Sequence, residues 1–322
     1  MNFINPFNPA ERLFMEEDAL KTDSGEIRFK KTNAVYRILL EEDNYTDNFG
    51  FQWNKFTKTQ IDNQNANLSL SKSRFFTQTN WDKEDLTNKN VLEVGSGAGR
   101  FSQIVLDYTK ANLYSIDYSN AVEANFRNNG HHGNRLNLFQ ASIYEMPFEK
   151  GQFDKVFCFG VLQHTPNVEK SVESLISMAK KDSEVIVDFY PIKGWWTKIH
   201  AKYMYRPITK KWSNEKLLNR IEKNVDWMIK LSAVLQKIKL GFLRRFIPIL
   251  DIYGTLPKGL SPQQLKEWCI LDTFDMFSPQ YDQPQKISTV VAWFEKNGMK
   301  DVWGGFVDDN GFKSAIVKGI KK

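Results

Sequence analysis

The stretch Glu93-Val94-Gly95-Ser96-Gly97-Ala98-Gly99-Arg100 puts three glycines at alternate positions behind a carboxylate. Glycine lets a backbone turn sharply and approach a ligand closely. Placed ahead of a helix, such a turn also presents unpaired N–H groups. Asp117 lies twenty residues beyond Gly97, where a carboxylate can accept hydrogen bonds from both hydroxyls of a ribose. Together these features describe a cradle for a nucleotide-type ligand. The dinucleotide fingerprint G-x-G-x-x-G/A fails, because Arg100 occupies its last position. His164, in Gln163-His164-Thr165-Pro166, is the best candidate for a general base. A capping or packing histidine before Pro166 fits the same position. Arg74 suits either an ion pair with a ligand carboxylate or a surface salt bridge. Phe49 and Trp53 suit a lid or plain core packing. Asp272, Asp275, Tyr281 and Asp282 form a second polar cluster, suited to a polyol or amine or to capping turns before Pro279 and Pro284.

The elements that must position these residues are legible from residue 90 onward. Val91–Val94, Asn112–Asp117, Leu136–Phe139, Phe153–Phe159 and Glu184–Phe189 have the texture of short buried strands. Phe101–Tyr108, Asn120–Asn129 and Val168–Lys180 have helical spacing between them. Strands alternating with helices predict right-handed βαβ crossovers and a parallel sheet. The alternation stops at Tyr190-Pro191, and residues 191–275 read as helical and tryptophan-rich. A helix at Ile287–Lys296 and strands at Asp301–Val307 and Lys313–Gly319, joined through Asp308-Asp309-Asn310-Gly311, predict a closing antiparallel hairpin. The fold class expected is α/β, a Rossmann-like, mostly parallel sheet with a C-terminal antiparallel hairpin. Its expected parts are an N-terminal extension over 1–85, polar with patches of helix and placed to cover the cofactor site. A cofactor-binding core follows over 86–190, then a basic helical insertion or lid over 191–275 after strand five. Residues 276–322 complete the sheet.

Of 322 residues, 41% are hydrophobic and 25% charged, the proportions of an ordinary globular chain. No apolar run approaches the roughly 20 residues needed to span a bilayer. No basic segment followed by an apolar one opens the chain, so a secretory signal is not expected. Cys158 and Cys269 read as free, buried thiols, which fits a reducing compartment and a cytoplasmic protein. The histidines and cysteines show no metal-ligand spacing, and His131-His132 reads as a loop. Residues 193–245 hold fourteen Lys and Arg against three acids, a surplus of +11 that leaves the rest at −5 of a total of +6. One region, then, faces anions: an anionic acceptor or the surface of an anionic membrane, or else it is a solvated basic face.

Val91–Arg100, Ile116-Asp117-Tyr118-Ser119, Phe139–Phe148 and Phe153–Phe157 resemble the successive motifs of class I S-adenosylmethionine-dependent methyltransferases of the small-molecule group. Asn48–Trp53, Gly160–Pro166 and Leu271–Asp275 with Ser278-Pro279 resemble a bacterial subgroup associated with cell-surface polysaccharide and secondary-metabolite genes. The resemblance implies S-adenosylmethionine as cofactor. Glu93, Gly95, Gly97 and Gly99 would cradle its methionine part, Asp117 its ribose, and Tyr118 would pack on the adenine. Ser142 stands where many relatives have an acid that reads the adenine amino group; serine supplies only a neutral hydrogen bond. Ile143 would close over the ring, and Gly160 would bring backbone to the cofactor. A zinc ribbon borne by some relatives is absent, since residues 1–45 hold no cysteine. The implied reaction is methyl transfer to oxygen or nitrogen of a small polar acceptor, a sugar or sugar-bearing intermediate. An RNA methyltransferase using the basic insertion and a non-catalytic Rossmann-type binding protein are the alternatives. No RNA-binding module is recognisable, so nucleic acid is not the expected partner.

Overall fold

A computed structural model describes residues 1–39, 45–62, 69–256, 259–309 and 311–322. The chain divides into two compact units: one of residues 1–191, 281–309 and 313–322, the other essentially 192–280.

The first unit is built on a sheet. Five strands, β1 (Phe3–Asn5), β2 (Asn8–Met15), β3 (Ala19–Lys21), β4 (Ile27–Thr32) and β5 (Val35–Ile38), precede two helices, α1 (Asp47–Lys55) and α2 (Leu70–Thr79). The βαβ region follows: β6 (Asn90–Val94), α3 (Arg100–Tyr108), β7 (Asn112–Asp117), α4 (Val122–Asn129), β8 (Leu136–Ala141), β9 (Phe153–Cys158), α5 (Val168–Met178) and β10 (Ala179–Phe189). Among the described residues the sheet runs β1-β2-β3-β4-β5-β8-β7-β6-β9-β10, then two strands from the C-terminal region, β12 (Phe312–Lys321) and β11 (Met299–Asp309). From β5 to β10 neighbouring strands are parallel, and β12 runs antiparallel to β10 with Val187 opposite Val317. This is the expected Rossmann-like α/β sheet with antiparallel C-terminal strands. Helix α9 (Ile287–Lys296) precedes β11. The turn read at Asp308–Gly311 includes Asn310, which lies outside the described residues.

Both faces of the parallel region are covered, which is why its strands read as near-continuous apolar runs. Alternate side chains go to opposite faces. Leu92, Val94, Val156 and Val187 join a core with Val172, Leu175 and Phe294 from α5 and α9. Val91, Leu113, Phe157 and Ile186 join the other, with Phe75, Trp81, Ile104 and Val105. Cys158 and Cys269 are free and buried. Burial pushes the Cys269 thiol up to about 12 and Cys158 higher than usual, so both are inert as nucleophiles near neutral pH.

The N-terminal region departs from the reading of its sequence. Instead of helical patches alone, residues 3–38 form an antiparallel meander whose last strand, β5, pairs in parallel with β8. Strands β2 and β4 are largely exposed, β4 with no fully buried side chain, while β3 and β5 are buried but only three and four residues long. They therefore lack the apolar alternation by which a strand is recognised.

The second unit is helical: α6 (Ala201–Thr209), α7 (Asn214–Lys237) and α8 (Pro262–Phe277). Ser261 and Gln264 form a reciprocal capping box at the start of α8, with Pro262 at the first helical position. Helix α7 buries Leu217, Ile221, Val225 and Met228, one face at i, i+4, i+8 and i+11.

Candidate functional site

The glycine loop lies between β6 and α3, at the carboxyl edge of the sheet, where open α/β folds bind ligands. Gly97 has φ +53 and Gly99 has φ +82, a left-handed backbone that favours glycine. A Cβ on Gly99 would come within 2.2 Å of Asn125 Oδ1 and 2.3 Å of Asn129 Nδ2. Side chains of α4 hold the loop from behind: Asn129 Nδ2 donates to the Gly99 carbonyl at 2.9 Å, and Asn128 Nδ2 to that of Ala98 at 2.8 Å. Gly95 packs against Val161. Gly97 alone of the three faces an aromatic cover, with Trp53 Nε1 3.0 Å from where its Cβ would stand.

Two carboxylates brace this turn. Asp117, at the end of β7, accepts from the Gly97 amide at 2.8 Å and from the Ser119 amide and hydroxyl at 2.8 and 2.6 Å. A carboxylate offers about four acceptor positions, so Asp117 can still accept a hydroxyl. Burial raises its pKa against the opposing pull of these donors. Glu93 turns inward, where the Ser102 and Ser115 hydroxyls donate to it, the latter at 2.8 Å. Burial pushes its carboxyl up to about 7. Glu93 therefore supports the loop from beneath.

Tyr118, Ser142 and Ile143 sit near the same edge in different settings. The Tyr118 ring lies 5.4 Å from that of Tyr45. Ser142 is buried, and its hydroxyl accepts from the Tyr144 amide at 3.2 Å. Ile143 belongs to the hydrophobic core. Arg74 reaches a partner within the chain: its Nη2 is 2.6 Å from Asp188 Oδ2, a buried carboxylate at the end of β10. The other Asp188 oxygen accepts from the Gly160 amide. Asp188 thus ties α2, β10 and the loop after β9 together. It was missed in the sequence, although it is the lone acid in Val185-Ile186-Val187-Asp188-Phe189, a signal that could have found it.

His164 is 5% exposed. Its Nδ1 lies 3.1 Å from the Tyr281 carbonyl, which can only accept, so Nδ1 carries the proton and Nε2 of the neutral ring is the basic nitrogen. Its ring lies 5.1 Å from that of Phe49 and 5.6 Å from that of Tyr190. Tyr281 in turn stacks edge-on with Tyr45 at 5.5 Å. Contacts therefore run from Tyr118, beside Asp117, through the rings of Tyr45 and Tyr281 and on through the Tyr281 carbonyl to His164. Tyr45 and Tyr190 were not singled out in the sequence, since isolated tyrosines carry no spacing signal. Asp272 and Asp275, read with Tyr281 as one cluster, belong to the other unit.

The structure also gathers Asp107, on α3, with His131 and His132, His132 Nε2 being 3.0 Å from Asp107 Oδ1. Arg135 Nη2 lies 3.3 Å from His132 Nδ1, placing a fixed cation beside the group.

Residues 92–187 match the model of a family described as a methyltransferase domain. A tRNA U34 carboxymethyltransferase of Nautilia profundicola is 28% identical over 111 residues, which are 34% of this chain and 37% of that protein. The chain thus matches little more than a third of that relative's length. Among solved structures, a magnesium protoporphyrin IX methyltransferase of Synechocystis with bound S-adenosylhomocysteine superposes with a TM-score of 0.45 at 17% identity, over 86% of this chain and 97% of that one. The YcgJ protein of Bacillus subtilis superposes with a TM-score of 0.42 at 14% identity, over 78% and 98%.

Proposed function

We infer that this chain, whose residues 92–187 form a methyltransferase domain, is a class I S-adenosylmethionine-dependent methyltransferase. The observation that carries the reading is the clasp between Asp117 and the Gly97 amide, within a left-handed glycine loop at the head of α3. That loop offers backbone N–H groups and close approach to the methionine part of the cofactor. Asp117 keeps acceptor capacity for a ribose hydroxyl, and Tyr118 with Tyr45 offers a ring face to the adenine. Gly160 has open space above its Cα, room for a ligand against the backbone. When bound, the cofactor's sulfonium supplies the electrophilic methyl group and a good leaving group. The chain's own task is to align the acceptor and exclude water. His164 serves as the base for a hydroxyl acceptor, its tautomer set by the Tyr281 carbonyl so that Nε2 takes the proton. The proposed acceptor is a small polar molecule, a sugar or sugar-bearing intermediate, methylated on oxygen or nitrogen. A cytoplasmic location goes with this reading. Among the described residues no helix is long and apolar enough to cross a membrane.

Titration calorimetry with S-adenosylhomocysteine tests the cofactor. Micromolar binding, about −8 kcal/mol, is expected, and Gly97→Val should abolish it. Binding of NAD with none of S-adenosylhomocysteine would refute the reading. A second reading, an RNA acceptor, is favoured by the tRNA-modifying relative and by the +11 segment. Release of S-adenosylhomocysteine in the presence of tRNA but not of sugar nucleotides would establish it in place of the first.

A further inference from the structure

Helix α7 has two apolar faces. One is the buried row described above. The other is Trp227, Leu231, Val234 and the C-capping Ile238, at i, i+4, i+7 and i+11, with relative exposures of 39–54%. At 100° per residue the two rows lie about 105° apart. A helix on a globular unit needs only one such stripe, facing its core. The outer row is continued in the chain by Leu240 and Phe242, the latter 67% exposed, and Trp195, on the segment before α6, is 81% exposed. The tryptophans at 195, 196 and 227 are therefore exposed rather than buried in a core.

The charges on α7 are sorted with respect to the outer row. Lys223, Lys230 and Lys237, seven residues apart, are exposed along one flank. Glu215, Glu222 and Asp226 lie beyond them, turned away from the row, and Asp226 is paired with Lys266 at 2.8 Å. We propose that this face of the helical unit lies in the interface of an anionic lipid bilayer. Its outer row would enter the acyl boundary and its lysines would meet the headgroups. The aliphatic members of the row, Leu231, Val234, Ile238 and Leu240, gain from a bilayer and offer no stacking face to the bases of a nucleic acid. A second copy bringing the same face in a two-fold contact would oppose lysine to lysine. The inference does not depend on methyl transfer.

The test is sedimentation of the full chain with vesicles of phosphatidylcholine, and of phosphatidylcholine with one third phosphatidylglycerol. Binding to the anionic vesicles at least ten-fold tighter than to the neutral ones is expected. Leu231→Glu with Val234→Glu should weaken it at least ten-fold, and so should Lys223→Gln with Lys230→Gln and Lys237→Gln. All five side chains are exposed, and unchanged circular dichroism melting would show that the variants fold. In the lysine variant the remaining binding should lose most of its salt dependence. Three results would each overturn the proposal: no sedimentation with anionic vesicles, undiminished binding by the folded Leu231/Val234 variant, or binding of RNA or self-association in place of vesicle binding.

Discussion

At the scale of single residues, Glu93 and His164 make separable predictions. The Glu93 carboxyl, buried on two hydroxyls, titrates near 7 in the folded protein rather than at its ordinary value near 4.5. Between those values the folded state holds a proton that the unfolded chain has lost. This contribution therefore favours folding at low pH and is withdrawn as pH rises through 7. Denaturant titrations should show it as a fall of at most about 3 kcal/mol from pH 4.5 to 7.5. That fall should be missing in Glu93→Gln; an identical pH profile in the variant would dismiss it. For His164, replacement by alanine should lower turnover roughly 10²–10⁴-fold with the S-adenosylhomocysteine dissociation constant unchanged. Because the ring is packed between Phe49 and Tyr190, a melting curve must accompany the rates. Full turnover in a folded His164→Ala protein would return the residue to a packing role.

At the scale of elements, legibility followed burial. The helix α9 was read in the sequence to its terminal residues and β6 to within one residue, because each presents regularly spaced apolar side chains to a core. Helix α5 was read two residues too long, as far as Lys180; its apolar spacing at Val172, Leu175 and Ile176 is continued by Ala179, the first residue of β10, whose register is irregular before Glu184. Strands β1–β5 were invisible because they carry little apolar pattern of their own, and the last of them, β5, is fixed by a partner distant in sequence, Leu138 standing opposite Val35. The same logic divides the site. Gly97 and Asp117 announce themselves by local chemistry, whereas Asp188 and Tyr45 acquire meaning only through the fold. Arg74 shows the converse: its type was legible, but not that Asp188 would hold it. An element with strong local signals can be tested directly. Ser261→Ala removes the cap that accepts from the Gln264 amide, and should cost about 1 kcal/mol in a denaturant titration. No change would mean that α8 is held by its buried Trp268, Leu271 and Phe274 alone.

At the scale of the whole molecule, the charge surplus of residues 193–245 predicts how an anionic acceptor would respond to salt. If that segment holds the acceptor, raising ionic strength should raise its KM and leave cofactor affinity nearly unchanged. Lys210→Glu with Lys211→Glu should act in the same direction. Arg206 is unsuitable for such charge reversal: it is buried and donates to the Pro279 carbonyl at 2.5 Å, so its loss would be read as unfolding. A KM indifferent to both salt and the lysine reversals would leave the charge without a part in acceptor binding. The order of strands sets a further condition, one of time. β10 lies between β9 and β12, and Val187 meets its β12 partner, Val317, only 130 residues later. At about 5–20 residues per second, a ribosome needs on the order of ten seconds to deliver that partner. Throughout that interval one side of β10 offers unpaired N–H and C=O groups to any extended chain nearby. The nascent protein thus passes through a period in which a chaperone, or slow synthesis of the helical unit, governs how much of it escapes mispairing.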